Sequence, residues 1–293
     1  MLRDLTRDFV PPILVRALRR WMPARNAPSG SPEDEELARL AALPSGEPTI
    51  TEIFGSPFYI PDVRSFIHLY DLYFKKRIFD FTQEDRDLYV IDCGANIGVT
   101  VTWWKTRYPD AQVLAFEADP DLFRVLQRNC GALPGVRLLN AAVWDREGDI
   151  PFLSKGSEGG HVAELSNCPR QEMIRSVPCV RLRSFLSQKC DFLKMDIEGA
   201  EVTVIRDCAD ALKNVARTFV EYHSFVDEKQ SLGETISILE KAGFRLHILT
   251  ELPSSRPFDE LVVFNEMDLH LDLFGFRDET KPRQHVVMLP KTA

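Results

Sequence analysis

The chain is short of several things. Its six cysteines, Cys93, Cys130, Cys168, Cys179, Cys190 and Cys208, include no CxxC pair and no metal-ligand spacing. That excludes a zinc ribbon or a disulfide framework and reads as reduced thiols in a cytoplasmic compartment. No run approaches the roughly 20 apolar residues of a membrane span, and the N-terminus lacks the apolar stretch and cleavage site of a secretory signal. Basic charge is scarce: 36 Lys and Arg against 44 Asp and Glu leave a net charge of −8. Binding nucleic acid needs clustered cations to release counterions, so none is expected as a partner. What is present is 44% hydrophobic composition over 293 residues, enough for one large core. A small-molecule or neutral substrate is the default partner.

Three regions differ in pattern. Residues 1–47 open with arginines interleaved with Leu, Ile, Val and Trp21 up to residue 25, then turn into a linker rich in Pro, Ser, Gly and acids. The first 25 residues form a basic amphipathic segment, read as packing on its own domain or a second subunit, with a peripheral membrane contact as the alternative. Residues 48–265 are the main domain. RSFIHLYDLYFKKRIF spaces Phe66, Leu69, Tyr70, Tyr73 and Phe74 as one helical face for core packing. From Leu88 short β-branched runs alternate with amphipathic ones: LYVIDCG, VTVTWWKTRY, QVLAFEA, DLFRVLQRNC, VRLLNAAV. After an insertion at 144–189 they resume with CDFLKMD, AEVTVIRDCADAL, VARTFVEYH, ETISILEKAG, FRLHILT and DELVVFN. This alternation implies βαβ crossovers and a mostly parallel sheet, in an α/β class. Residues 266–293 read as a C-terminal tail.

A dinucleotide fingerprint is also missing. The first strand ends in VIDCGANIGV, where Gly94 and Gly98 lack the middle glycine of GxGxxG that lets a pyrophosphate approach. Asp92 beside the turn would repel phosphate but suits an ammonium group. Glu117, in FEADP at the next strand tip, is placed to accept both hydroxyls of a ribose. An NAD-dependent oxidoreductase is thereby disfavoured, and a ligand carrying an amino acid and a sulfonium is preferred.

VIDCGANIG, FEADP, LLNAAV, DFLKMDIEGAE and VEYH, in this order, resemble the FkbM family of S-adenosylmethionine-dependent methyltransferases. The resemblance spans about residues 65–221. It implies a class I methyltransferase Rossmann-like fold, with a seven-stranded mostly parallel sheet, an antiparallel last strand and helices on both faces. It implies O-methylation of a hydroxyl on a sugar, glycan or glycosylated secondary metabolite. Carried over residue by residue, Asp92, Gly94, Asn96 and Gly98 would line the methionine end of S-adenosylmethionine, Glu117 its ribose, Asn140 and Ala141 its adenine. Asp196 would face the donor methyl and the acceptor.

A hydroxyl is a poor nucleophile, so a base or a metal is wanted. A parallel sheet gathers Asp92, Glu117, Asp196 and the Glu221–His223 segment at one edge. His223 is a candidate general base because its ordinary pKa lies near neutrality, with Asp196 or Glu221 orienting it or taking the proton directly. Asp196, Glu221 and His223 are also a partial ligand set for a divalent cation, a less favoured option. Glu201 falls in a first helical turn, where a carboxylate caps. Glu198 lies closer to the site. His161 reads as a solvated loop histidine, and at least one of Trp103 and Trp104 as core. The remaining alternative is a non-catalytic binding protein on the same fold.

Overall fold

The computed structural model describes residues 30–44, 46–81, 87–154, 160–162, 174–226, 228–250 and 253–283. The basic segment 1–25 and Cys168 lie outside them. Residues 1–42 and 43–293 form separate compact units. In the first, helix α1 (Pro32–Ala41) starts with Pro at its first position and Ser31 as N-cap, whose hydroxyl accepts the Asp34 N–H.

The second unit begins with a small hairpin, β1 (Thr49–Thr51) and β2 (Phe58–Ile60), followed by helix α2 (Val63–Tyr70). One wide π-type turn, Asp71–Lys75, continues α2 and keeps Tyr73 on the buried side. Then come β3 (Tyr89–Cys93), α3 (Val99–Arg107), β4 (Gln112–Glu117), α4 (Pro120–Cys130) and β5 (Val136–Asn140). After an excursion the chain returns through β10 (Phe192–Met195), α5 (Glu201–Cys208), β11 (Arg217–Phe225), α6 (Leu232–Lys241), β12 (Arg245–Thr250) and β13 (Met267–Phe276).

These strands form a seven-stranded sheet in the order β12-β13-β11-β10-β3-β4-β5. β13 runs antiparallel to both its neighbours, while β5, β4, β3, β10 and β11 pair in parallel. This is the class I methyltransferase arrangement. Strand order reverses between β3 and β10, the place where open α/β sheets leave a crevice at their C-terminal tips.

Strand alternation decides what each face meets. Leu193 and Val220 enter an aliphatic core with Val204 and Ile205 of α5 and Leu239 of α6. Their neighbours Phe192 and Phe219 face the other way. There Phe192 packs on Trp104 of α3 with ring centres 4.7 Å apart, and Phe219 on Phe79 at 4.9 Å. Helices therefore cover both faces, and Trp103 and Trp104 are both core. Each such fully buried side chain stabilises by roughly 1.5–3 kcal/mol. The five described cysteines are all buried free thiols.

The expected insertion is a second sheet. β6 (Ala142–Trp144), β7 (Gly148–Leu153), β8 (His161–Val162) and β9 (Ile174–Arg181) pair in the order β6-β9-β7-β8 around Trp144, Ile150, Phe152 and Val177. LLNAAV thus divides at Ala141 between two sheets.

Two expectations change. DELVVFN does not form the last strand; that strand is β13, ten residues long, inside the stretch read as a tail. The domain therefore runs past residue 265, because β13 fills the slot between β11 and β12. His161 is not a solvated loop residue. It lies in β8, 6% exposed, with its ring 5.9 Å from that of Phe225.

Candidate active site

At the β3–β10 switch point the register sets Asp92 against Lys194 and Cys93 against Met195. The chain then turns at Gly94, φ 81°, where any Cβ would stand 1.8 Å from the Asp196 carbonyl oxygen. Only glycine lets the first turn press against the start of the DIEGAE loop. Gly98 does another job. A Cβ there would lie 2.4 Å from Cys130 Sγ, so this glycine lets α3 pack against α4.

One cavity opens over these turns. Gly94, Asn96, Glu117, Ala141, Asp196 and Glu198 line it together with apolar Phe116, Leu122, Val143 and Phe152. Asp92, Gly98 and Asn140, expected beside them, are not among the residues lining it. Asp92 is fully buried and bound to Thr100 Oγ1 at 2.5 Å and Lys194 Nζ at 3.4 Å. Asn140 donates its amide to the carbonyls of Glu117 and Ala118, at 2.9 and 3.2 Å, and so ties β5 to the tip of β4.

Glu117 is held by its neighbours' backbone. Its two oxygens accept the N–H groups of Asn96 and Asp119, both at 2.8 Å. Burial pushes its carboxyl up to about 7, and those two bonds only partly offset the push. Asp119, also on the cavity wall, caps α4 and accepts the Ser154 hydroxyl at 2.6 Å.

On the far side of Asp196 lies a cluster of acids and histidines. His223 places Nδ1 3.0 Å from Glu201, and Nε2 3.6 Å from Glu221 and 3.8 Å from Glu198. Its ring stacks on His270 with centres 4.9 Å apart, since the two residues face each other across β11 and β13. His270 Nε2 is 2.6 Å from Glu221. Burial opposes a charge on His223, but the carboxylates of Glu201, Glu198 and Glu221 overcome it and hold the imidazole well above its ordinary pKa. Burial would likewise raise Glu221, yet hydrogen bonds from His223 and His270 keep it well below the usual carboxylate range. Asp196 rises to about 7, first through burial and then through the Glu221 charge, with Lys194 and His223 pulling the other way.

Glu201 caps by closing the turn before its helix. Its carboxylate accepts the N–H groups of Ile197 and Gly199 at 3.1 Å while it holds His223. That turn carries Glu198 at φ 54°, a left-handed conformation uncommon for this residue. Asp196, Glu221 and His223 are thus gathered at one edge, and the groups whose ligand atoms lie within 4.8 Å of one another are Glu221 with His223 and His270, and Asp196 with Glu198 and His223.

With this geometry in view, likeness to known proteins becomes specific. A family model described as the methyltransferase FkbM domain matches residues 92–246, more than half of the chain. The chain belongs to the FkbM methyltransferase family. Hexuronic acid methyltransferase AglP of Haloferax volcanii is 29% identical to this FkbM methyltransferase over 208 residues, covering 67% of this chain and 85% of AglP. The 2-O-methyltransferase NoeI of Sinorhizobium fredii is 29% identical over 157 residues, 47% of this chain and 65% of NoeI. A crystal structure of methyltransferase FkbM from Methylobacillus flagellatus aligns with TM-score 0.43 and 15% identity. That alignment covers 70% of this chain and 47% of the other, so this chain spans about half of that protein's length. Membership removes the nicotinamide oxidoreductase and the non-catalytic scaffold. Among the described residues no helix is long and apolar enough to cross a membrane.

Two residues of this FkbM methyltransferase's site escape sequence reasoning. Lys194 is 2% exposed and donates to the Gly94 carbonyl at 2.8 Å and to Asp196 at 3.1 Å. A lone cation inside the apolar strand FLKM is the signal for it. His270 sits in the stretch read as a tail, where the alternation of Leu269, Leu271 and Leu273 marks a strand.

Proposed function

We propose that this FkbM-family methyltransferase moves a methyl group from S-adenosylmethionine to a hydroxyl of a sugar, in a glycan or a glycosylated metabolite. The observation that carries the reading is Asp196: its carboxyl, poised at about 7, faces both the cavity and the acid–histidine cluster. A general base works best when its pKa lies near the working pH.

The cavity fits the cofactor by the chemistry of its wall. Gly94 leaves bare backbone at the β3 tip, Glu117 offers carboxylate oxygens at the β4 tip, and Ala141 with Phe116 and Val143 offers apolar surface beyond. When bound, S-adenosylmethionine supplies an activated methyl group. Glu117 would hold the ribose hydroxyls and Asn96 would flank them. Asp196 takes the proton of the acceptor hydroxyl as the oxygen gains the methyl. His223 is not free for that task, because its neighbours keep it protonated. With Glu221 it sets the charge around Asp196. A sugar acceptor is supported by the likeness to a hexuronic acid methyltransferase.

The test is mass spectrometry of hexuronic acids, neutral sugars and glycosylated metabolites incubated with enzyme and S-adenosylmethionine. A gain of one methyl on a sugar oxygen is expected. No gain on any sugar, together with no saturable binding of the cofactor by calorimetry, would overturn the reading.

A further inference from the structure

We propose that Glu221, His223 and His270 bind one divalent cation of the first transition row. Three independent features converge on the site. The β11–β13 register puts His223 and His270 opposite each other, and Glu221, two residues before His223, projects on the same face. One nitrogen from each ring and one carboxylate oxygen then lie within 4.8 Å of one another. No other segment has to move to bring them together.

The second feature stands behind His223. Glu201, 1% exposed and pinned by two backbone N–H groups, accepts from Nδ1 at 3.0 Å. A carboxylate can only accept, so Nδ1 keeps its proton toward Glu201, and the proton on Nε2, which faces Glu221, is the one a bound cation displaces to solvent. Metal-bound imidazoles have this arrangement, a carboxylate fixing the ring from its far side.

The third feature is an open, negative approach. Asp196 and Glu198 bring carboxylate oxygens within 4.8 Å of a His223 ring nitrogen, and their side chains are 22% and 24% exposed. Asp196, Glu198, Glu201 and Glu221 face two imidazoles and Lys194, so a dication offsets surplus negative charge. Two imidazoles with carboxylate suit zinc, iron, cobalt or manganese better than magnesium or calcium, which take oxygen ligands. The site's role rests on the methyl-transfer reading. A cation there polarises the acceptor hydroxyl and Asp196 receives its proton, with no change of oxidation state.

The test uses the whole chain stripped with EDTA and titrated with zinc chloride by calorimetry, with bound metal counted by mass spectrometry after dialysis. One equivalent of saturable zinc and a zinc-dependent rise in melting temperature are expected. Glu221→Gln and His270→Gln should each weaken zinc binding by more than about tenfold, and Glu201→Gln by about 10- to 100-fold through the orientation of His223. His247→Gln, on β12, should bind zinc like the parent. If the stripped protein shows no saturable zinc binding, or if Glu221→Gln and His270→Gln bind like the parent, the site is overturned. Methyl transfer unaffected by exhaustive chelation overturns the role while the proposed function stands. Zinc held by these residues in a protein that methylates no sugar keeps the site and overturns the proposed function.

Discussion

Two clusters of buried charge flank Asp196, and they differ in one respect. Asp92, Thr100 and Lys194 form an enclosed set: Asp92 is fully buried with Oδ2 bonded to Thr100 and Oδ1 only 3.4 Å from Lys194 Nζ, and Lys194 is 2% exposed. Glu221, His223 and His270 form a set that opens outward, with Glu221 21% and His270 17% exposed. An enclosed set holds the geometry of the strands that carry it. An open set keeps unspent coordination and charge that a ligand can use. Asp196 bonds to the first and faces the second.

The largest expected effect comes from breaking the enclosed set. Lys194→Met leaves Asp92 and Asp196 without their cation and should cost about 3–5 kcal/mol in urea unfolding. Adding Asp92→Asn should restore much of the loss, and a double variant no better than the single one would contradict the pairing. Asp196→Asn, on the boundary, should lower kcat by about 100- to 10,000-fold while cofactor affinity stays within about tenfold. Loss of cofactor binding instead would assign Asp196 to the cavity alone.

A smaller effect separates the cavity from both clusters through pH. The folded-state pKa of Glu117 is about 7 against an ordinary 4.5, so between those values the folded chain holds a proton that the unfolded chain has released. Stability contributed by this group is complete below pH 4.5 and is lost as pH rises through 7. Cofactor hydroxyls donate to the ionised form, so affinity should move the other way, rising by up to about tenfold per unit until pH is near 7. Calorimetry from pH 5 to 8 checks the slope, and a flat profile would detach Glu117 from the ribose. The smallest effect belongs to the exposed pair Arg206–Glu234 at 2.7 Å. Arg206→Ala should change stability by less than about 0.5 kcal/mol, which sets the scale for a charge pair left in water.

Much of the fold is legible in the chain. The strands β3, β4, β10 and β11 and the helices after them follow from runs whose period is unmistakable, and the missing middle glycine already argues against a dinucleotide. β13 is harder to read because the preceding DELVVFN offers a more continuous apolar run that competes with its Leu269, Leu271 and Leu273 alternation. The places of Glu117 and Asp196 on the cavity wall follow from their positions at strand tips, whereas nothing in the chain signals that Asp92 lies beside Lys194 across the strand. The two glycines of the turn look alike in sequence and differ in purpose, one meeting the Asp196 carbonyl and the other Cys130.

Local pattern by itself determined the element types, the parallel order and the gathering of acids at one edge, because side-chain period and strand polarity are properties of neighbouring residues. Only the tertiary structure decided which acids burial pushes up, which histidine neighbouring carboxylates favour as a cation and which residues line the cavity. Those outcomes depend on burial and on charges contributed by strands far apart in the chain: His270 beside Glu221, Lys194 beside Asp92, Glu201 behind His223.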